Sequence, residues 1–266
     1  MTFFCYTYCT IQTKQVKKMF STTFTLANIT VEIESSVVPT EQLEMMCKSM
    51  KFIKYMNGID FTIIDVQKIR VDKLTWFCAP SAMSPEKLGF IYMEVMSTDK
   101  RNGKPVPGVV FLRGNAVAVD IDIDVLDENG VIVTTVTPFT KQIRMGSGRM
   151  ETELPAGMCD SNGDIFGVAM KEIEEETGLK VPNVSEMIHR GKMTPSVGGT
   201  HESIDIFYWK TSVSVAQYEE MKTKIYGNAE ENETIQLELV DNRYKDFFII
   251  STGDAKAMCA AFFAKK

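Results

Sequence analysis

Residues 154–179 read Leu154-Pro-Ala-Gly-Met-Cys-Asp-Ser-Asn-Gly-Asp164-Ile-Phe-Gly-Val-Ala-Met-Lys171-Glu-Ile-Glu-Glu-Glu-Thr-Gly178-Leu179. The second half of this stretch is punctuated as a helix. Asp164 places a carboxylate near the start, where the positive end of the dipole favours one. Gly178 stands where a helix ends on a glycine. Val168, Met170 and Ile173 supply the apolar contacts between, so a helix is expected over 164–178. Glu172, Glu175 and Glu176 fall at i, i+3 and i+4 and share one face, while Glu174 points elsewhere. Like charges at that spacing repel and weaken the bare helix. A solvated acidic face is one reading of them. The other is a cation site, because Mg²⁺ prefers oxygen ligands and bridges carboxylates to phosphate oxygens.

Outward from this helix, strands lie on both sides. Residues 119–125 alternate strictly, which fits a half-buried strand with Asp120, Asp122 and Asp124 on one face. A solvated outer face explains that row without any function. Asp127-Glu-Asn-Gly130 reads as a turn and 131–136 as the returning strand. A polar, glycine-bearing stretch from Lys141 to Arg149 follows. After the helix come two more strands and a last helix near 253–264. Towards the N-terminus, Leu43, Met46, Met50 and Ile53 are at helical spacing, with Thr40 as the expected cap. Residues 61–71, 74–77 and 90–96 read as strands, and Asn102-Gly103 turns the chain into 108–112. Residues 59–113 are therefore expected to form a small antiparallel sheet. The fold class is mixed α/β (α+β).

The chain has 266 residues, 44% hydrophobic and 24% charged, an ordinary globular composition. Its net charge is −6, which offers no basic stripe and disfavours a nucleic-acid partner. No apolar run is long enough to span a bilayer, so no membrane partner is expected. The six cysteines form no CxxC pair and read as free thiols in a reducing compartment. Residues 1–31 hold no Asp or Glu but contain Lys14, Lys17 and Lys18 with frequent Thr and Ser. That stretch reads either as a targeting leader or as a disordered or alternatively translated one with Met19 as a second start. The expected location is intracellular, cytoplasmic or, with a transit peptide, mitochondrial or plastid.

The spacing over residues 157–179 resembles the Nudix box. Gly157, Glu172, Ile173, Glu175, Glu176, Gly178 and Leu179 all fall in its register. Two positions depart: Gly163 stands at the first glutamate and Lys171 at the arginine. Asp164 or Asp160 is the candidate replacement for the lost charge. Lys171 keeps the positive charge but not the planar fork of an arginine. The resemblance extends from about residue 85 to the C-terminus and is closest to the ADP-sugar and ADP-ribose pyrophosphatases of plant type. Val106–Val119, Lys141-Gln-Ile-Arg144, Glu153–Gly157, Pro195-Ser-Val-Gly198, Glu231-Asn-Glu233 and Asp254-Ala-Lys256 carry it. Pro195 lies sixteen positions past Leu179, an offset typical of that branch.

The resemblance implies a Nudix α/β/α sandwich with a mixed sheet, preceded by a small N-terminal antiparallel sheet domain. The expected division is a leader over 1–31, a helix plus β-sheet domain for dimerisation and substrate binding over 32–113, and the hydrolase domain over 114–266. The implied reaction is hydrolysis of the diphosphate of a nucleotide sugar, ADP-glucose or ADP-ribose, to AMP and a sugar phosphate. Mg²⁺ or Mn²⁺ is the implied cofactor, held by Glu172 and Glu176 with the Ala156 carbonyl, and with Glu153 as a further ligand or a support. Glu175 has a supporting catalytic role. Glu233 is the first candidate for the general base and Glu231 the second. Arg144 is expected on the diphosphate, with Gln142 beside it, and Pro195, Ser196 and Gly198 form a loop facing phosphate or sugar. His201 lies in a turn, and nothing in the sequence pairs it. A homodimer is implied, in which Trp76 either stacks on a base or sits in a core. UDP-sugar or GDP-mannose hydrolysis, and an inactive nucleotide-sugar-binding module, are the alternatives.

Overall fold

A computed structural model describes residues 18–26, 28–159, 164–228 and 233–265. Two mixed sheets organise them. The first runs β1 (Phe20–Leu26), β2 (Ile29–Ser35), β3 (Ile64–Trp76), β4 (Leu88–Asp99), β5 (Lys104–Val106), with β6 (Val109–Leu112) also on β4. Thus β1 and the first residues of β2 lie inside the stretch expected as a leader; residues 1–17 lie outside the described residues. Threonine hides the period there: Phe20, Phe24 and Leu26 turn inward, and the β-branched threonines between them suit a strand.

The first sheet is not wholly antiparallel, as expected, because β2 and β3 pair parallel, Ile33 opposite Ile69. Parallel neighbours need a long crossover. Here it carries α1 (Thr40–Lys48) and α2 (Met50–Asn57). Pro39, not Thr40, occupies the cap position of α1. Ser49 breaks the expected single helix: its hydroxyl donates to Met46 O at 2.7 Å and accepts from Phe52 N at 3.2 Å, ending one helix and capping the next. Leu43, Met46, Phe52 and Met56 bury against Ile33, Ile69, Ile91 and Leu112. Each such side chain contributes roughly 1.5–3 kcal/mol of transfer free energy. The two strand segments expected at 61–71 and 74–77 are one strand, β3, made continuous with β4 through register shifts near Lys68, Lys73 and Trp76.

The second sheet is ordered β11 (Ile188–Met193), β12 (Ile204–Ser214), β7 (Ala116–Leu126), β8 (Ile132–Arg144), β13 (Gln236–Asp241). Two short strands, β9 (Arg149–Glu153) and β10 (Ala156–Met158), extend β8 and β7. The strand β7 is central. Val117, Val119, Ile121, Ile123 and Val125 face α3 (Ile165–Thr177) and α4 (Val215–Met221). Ala116 and Ala118 face α5 (Lys245–Thr252) and α6 (Ala255–Phe263) on the other side. Helices on both faces make the expected α/β/α sandwich.

The aspartate row of β7 is not the solvated face that alternation alone suggests. Asp120 and Asp124 are buried. Asp120 pairs with Arg190 at 3.0 Å and Lys245 at 2.6 Å. Asp122 accepts from Asn242 at 2.8 Å, Tyr208 at 3.1 Å and Lys245 at 3.1 Å. Asp124 takes Lys210 at 2.9 Å and Thr135 at 2.6 Å. Burial pushes the Asp122 carboxyl up, but Lys245 and its hydrogen-bond donors outweigh that and leave it below the ordinary range. Alternation identified the face; the cover comes from β11, β12 and α5, far away in sequence. Cys47, Cys78, Cys159 and Cys259 carry no disulfide. No described helix is long and apolar enough to cross a membrane.

Candidate functional site

The helix α3 forms as its text demands. The Asp164 side chain accepts from Gly167 N at 2.9 Å, and Gly178 closes the helix at φ 72°. Asp164 therefore serves α3 as its cap through one carboxylate oxygen. Gly163 and Asp160 lie outside the described residues.

Ala169 and Ile173 bury one side of α3 against β7, which turns Glu172 and Glu176 towards β10. Glu176 is 2% exposed. Its Oε2 accepts from Ala156 N at 2.9 Å, so Ala156 meets the site through its N–H. Burial pushes the Glu176 carboxyl well above the ordinary range, and the charges of Glu172 and Glu233 push it the same way. The Ala156 N–H and the Arg144 guanidinium pull it back only in part. Gly157 makes room for the second carboxylate. A Cβ there would lie 1.9 Å from the Glu172 carboxyl carbon.

Glu175 sits at the edge of this group. It pairs with Lys171 at 3.0 Å and accepts from Asn228 Nδ2 at 3.2 Å. Its carbonyl accepts from Gly227 N at 3.0 Å, tying Gly227 to the helix. Glu233 is held close by, its N–H donating to Asn228 O at 3.0 Å. Glu231 lies outside the described residues. Glu174 faces outward and pairs with Lys180.

Both oxygens of Glu153 are engaged: Oε1 by Arg144 Nε at 2.7 Å, Oε2 by Lys256 Nζ at 2.7 Å. Burial raises the Glu153 carboxyl, and the two cations more than offset this, leaving it low. Held from both sides, Glu153 is placed as a support to Arg144. Gln142 is buried beside this strand. Lys256 and Asp254 carry no role in the sequence reading; their signal is an aspartate cap opening α6 two residues before a lysine.

The loop with Pro195, Ser196 and Gly198 is exposed, and its recorded contacts run to the first sheet. Phe111 N donates to Gly199 O at 2.8 Å, and Val197, Gly198 and His201 help line a hollow of about 330 Å³ with Tyr55, Val95 and Val110. His201 is pushed down to about 4 by burial and by Lys51, which leaves it neutral and unsuited to proton transfer near pH 7. Trp76 is half-buried and donates to Gln42 at 3.3 Å, an intrachain role.

Glu172 and Glu176, with Glu233 nearby, suit a divalent cation by chemistry: hard oxygen donors, one of them buried and short of positive charge. Among the described residues no three His, Cys, Asp or Glu side chains already converge as a closed cage. Mg²⁺ typically keeps several waters and uses only one or two carboxylates with substrate phosphate, so an open half-site fits it.

No family model matches this chain. It is 33% identical over 186 residues to Nudix hydrolase 14, chloroplastic, of Arabidopsis thaliana, a match covering 66% of this chain. The chain spans 57% of that relative's length. A solved structure of an ADP compounds hydrolase aligns with 76% of this chain and 94% of its own at TM-score 0.47 and 13% identity, too distant to bear on chemistry.

Proposed function

This chain is a relative of the Nudix hydrolases, and on that premise we propose that it hydrolyses the diphosphate of a nucleotide sugar, ADP-glucose or ADP-ribose, to AMP and a sugar phosphate. The observation that carries this reading is Glu176: a buried carboxylate crowded by Glu172 and Glu233, with only an N–H and the more distant Arg144 to relieve it. Such a group is costly to keep ionised unless a cation joins it.

Mg²⁺ or Mn²⁺ would be held by Glu172 and Glu176, and when bound would neutralise charge on the diphosphate oxygens and lower the cost of attack. Glu175, steadied by Lys171 and Asn228, keeps the turn of Glu233 seated on α3. Glu233 accepts the proton of the attacking water; Glu231 is the second candidate. Arg144 grips the diphosphate with the guanidinium nitrogens that Glu153 leaves available, a planar donor fork suited to phosphate. Gln142 and the loop of Pro195, Ser196 and Gly198 complete the substrate side. The unit is a homodimer whose 32–113 portion shapes the substrate end while 114–266 does the chemistry. An organelle is the proposed compartment, since the Arabidopsis relative is called chloroplastic.

One observation favours a second reading, an inactive sugar-nucleotide-binding module: Gly163 stands at the first glutamate of the box, and its neighbour Asp164 caps α3. Purified protein with Mg²⁺ and a panel of ADP-glucose, ADP-ribose, UDP-glucose and GDP-mannose separates the readings. AMP and sugar phosphate, lost in Glu176→Gln, support hydrolysis. UMP or GMP products move the specificity to the UDP-sugar or GDP-mannose alternative. Binding without turnover of any panel member makes it a retired site.

A further inference from the structure

The group at the start of α6 does more than cap a helix. Asp254 accepts from Lys256 N at 3.0 Å through Oδ1, and from Leu154 N at 3.0 Å through Oδ2. It therefore bolts α6 to the residue that follows Glu153. Lys256 Nζ lies 2.9 Å from Asp254 Oδ1 and 2.7 Å from Glu153 Oε2, and its side chain is only 13% exposed. Glu153 then holds Arg144 Nε at 2.7 Å with its other oxygen. Arg144 is the outermost member, with a side chain 41% exposed, and its charge is felt by Glu176. The order Asp254, Lys256, Glu153, Arg144 thus alternates in sign from the interior to the site.

From this chain of contacts we propose that Lys256 is a positioning residue: it fixes Glu153 so that Arg144 is presented to the substrate diphosphate in one orientation. Glu153 has two oxygens and two cationic partners. With Lys256 present, only one oxygen is left to Arg144, and the guanidinium is held by one edge. Without Lys256, the freed oxygen draws the fork into a two-point pair, the geometry that an arginine and a carboxylate favour. Arg144 would then turn inward, away from an incoming phosphate. Lys256 thus acts on substrate capture through Glu153 and touches neither the metal ligands nor the reacting atoms.

The inference rests on the proposed hydrolysis, and the wild-type rate on ADP-glucose and ADP-ribose tests that part first. If the wild type does not turn over, the function fails, whatever Lys256 does. Given turnover, KM and kcat are measured for Lys256→Met, Glu153→Gln, the double variant and Lys256→Arg, with thermal melts alongside. Lys256→Met should raise KM on the order of tenfold and leave kcat nearly unchanged, because an interaction made equally in the ground and transition states shows in KM. Lys256→Arg should recover most of that loss. The double variant should match Glu153→Gln alone, since Lys256 has no route to Arg144 once Glu153 cannot pair with it. The double variant also removes both buried charges, and it supplies the comparison if Lys256→Met does not fold. Unchanged KM in folded Lys256→Met overturns the proposal. So does a double variant whose loss is the product of the two single losses, which would mean that Lys256 acts without Glu153.

Discussion

Two sets of carboxylates flank β7, and the protein treats them in opposite ways. Asp120, Asp122 and Asp124 on the α5 side are met by Arg190, Lys245 and Lys210 within 3.1 Å. Glu172 and Glu176 on the α3 side are brought together with Glu233, and their neighbourhood raises the Glu176 carboxyl well above its ordinary range. The acidic row that alternation reads as a solvated face is neutralised by protein cations and holds the sheet to α5. Glu176, on a helix face that spacing alone could also read as plainly acidic, is buried and left short of positive charge. Acidic residues become a candidate site where the fold withholds the counter-charge, and this is a property of tertiary structure and not of spacing.

The largest test of that contrast is Glu176→Gln. Hydrolysis should fall on the order of 10³-fold, about 4 kcal/mol of transition-state stabilisation, while the melting temperature without metal holds or rises. A large drop in Tm would place Glu176 with the structural aspartates and break the comparison. Lys245→Met probes the opposite set. It leaves Asp120, whose side chain is 3% exposed, with Arg190 alone and takes the cation from Asp122, and should cost about 2 kcal/mol in urea unfolding with little change in metal response. Metal itself separates the sets next. Mg²⁺ at about 100 times its Kd should add about 2.7 kcal/mol to the wild type and almost nothing to Glu172→Gln/Glu176→Gln. Equal stabilisation of both proteins would move the cation elsewhere.

The smallest effect is acidic pH. His201 is pushed down to about 4 from an ordinary 6.5, so its stabilising contribution is complete above about 6.5 and lost as pH falls towards 4. His201→Asn should flatten that limb of the stability curve slightly. The contribution of Asp122 and Asp124, whose carboxyls their partners hold below the ordinary range, is lost only at lower pH still, beneath the His201 window.

The parts of this molecule that sequence conveys are those whose physics is local. Asp164 and Gly178 bracket α3 because a cap and a left-handed terminus are matters of one turn. Gly157 and Glu172 are legible as a pair only through a family pattern; their reason, a carboxylate lying where a Cβ would be, is spatial. The parallel β2–β3 pairing joins segments about 36 residues apart and leaves no local mark. The burial of Asp120 depends on Arg190 and Lys245, and the engagement of Glu153 on Lys256, about 100 residues away.

The parallel pairing of β7 with β12 also sets a timetable. Ala116 meets Ile204 in register, and β8, β9, β10 and α3 all lie within the intervening span. The first sheet, by contrast, closes on residues 20–112 alone. Contacts between distant segments form late, because a long loop must be closed before any of them repays the entropy. The helix that carries Glu172 and Glu176 therefore waits inside two of the long loops of the chain, this one and the loop that β13 closes on β8. During refolding, recovery of metal response should lag behind formation of the first sheet and keep pace with the docking of β12.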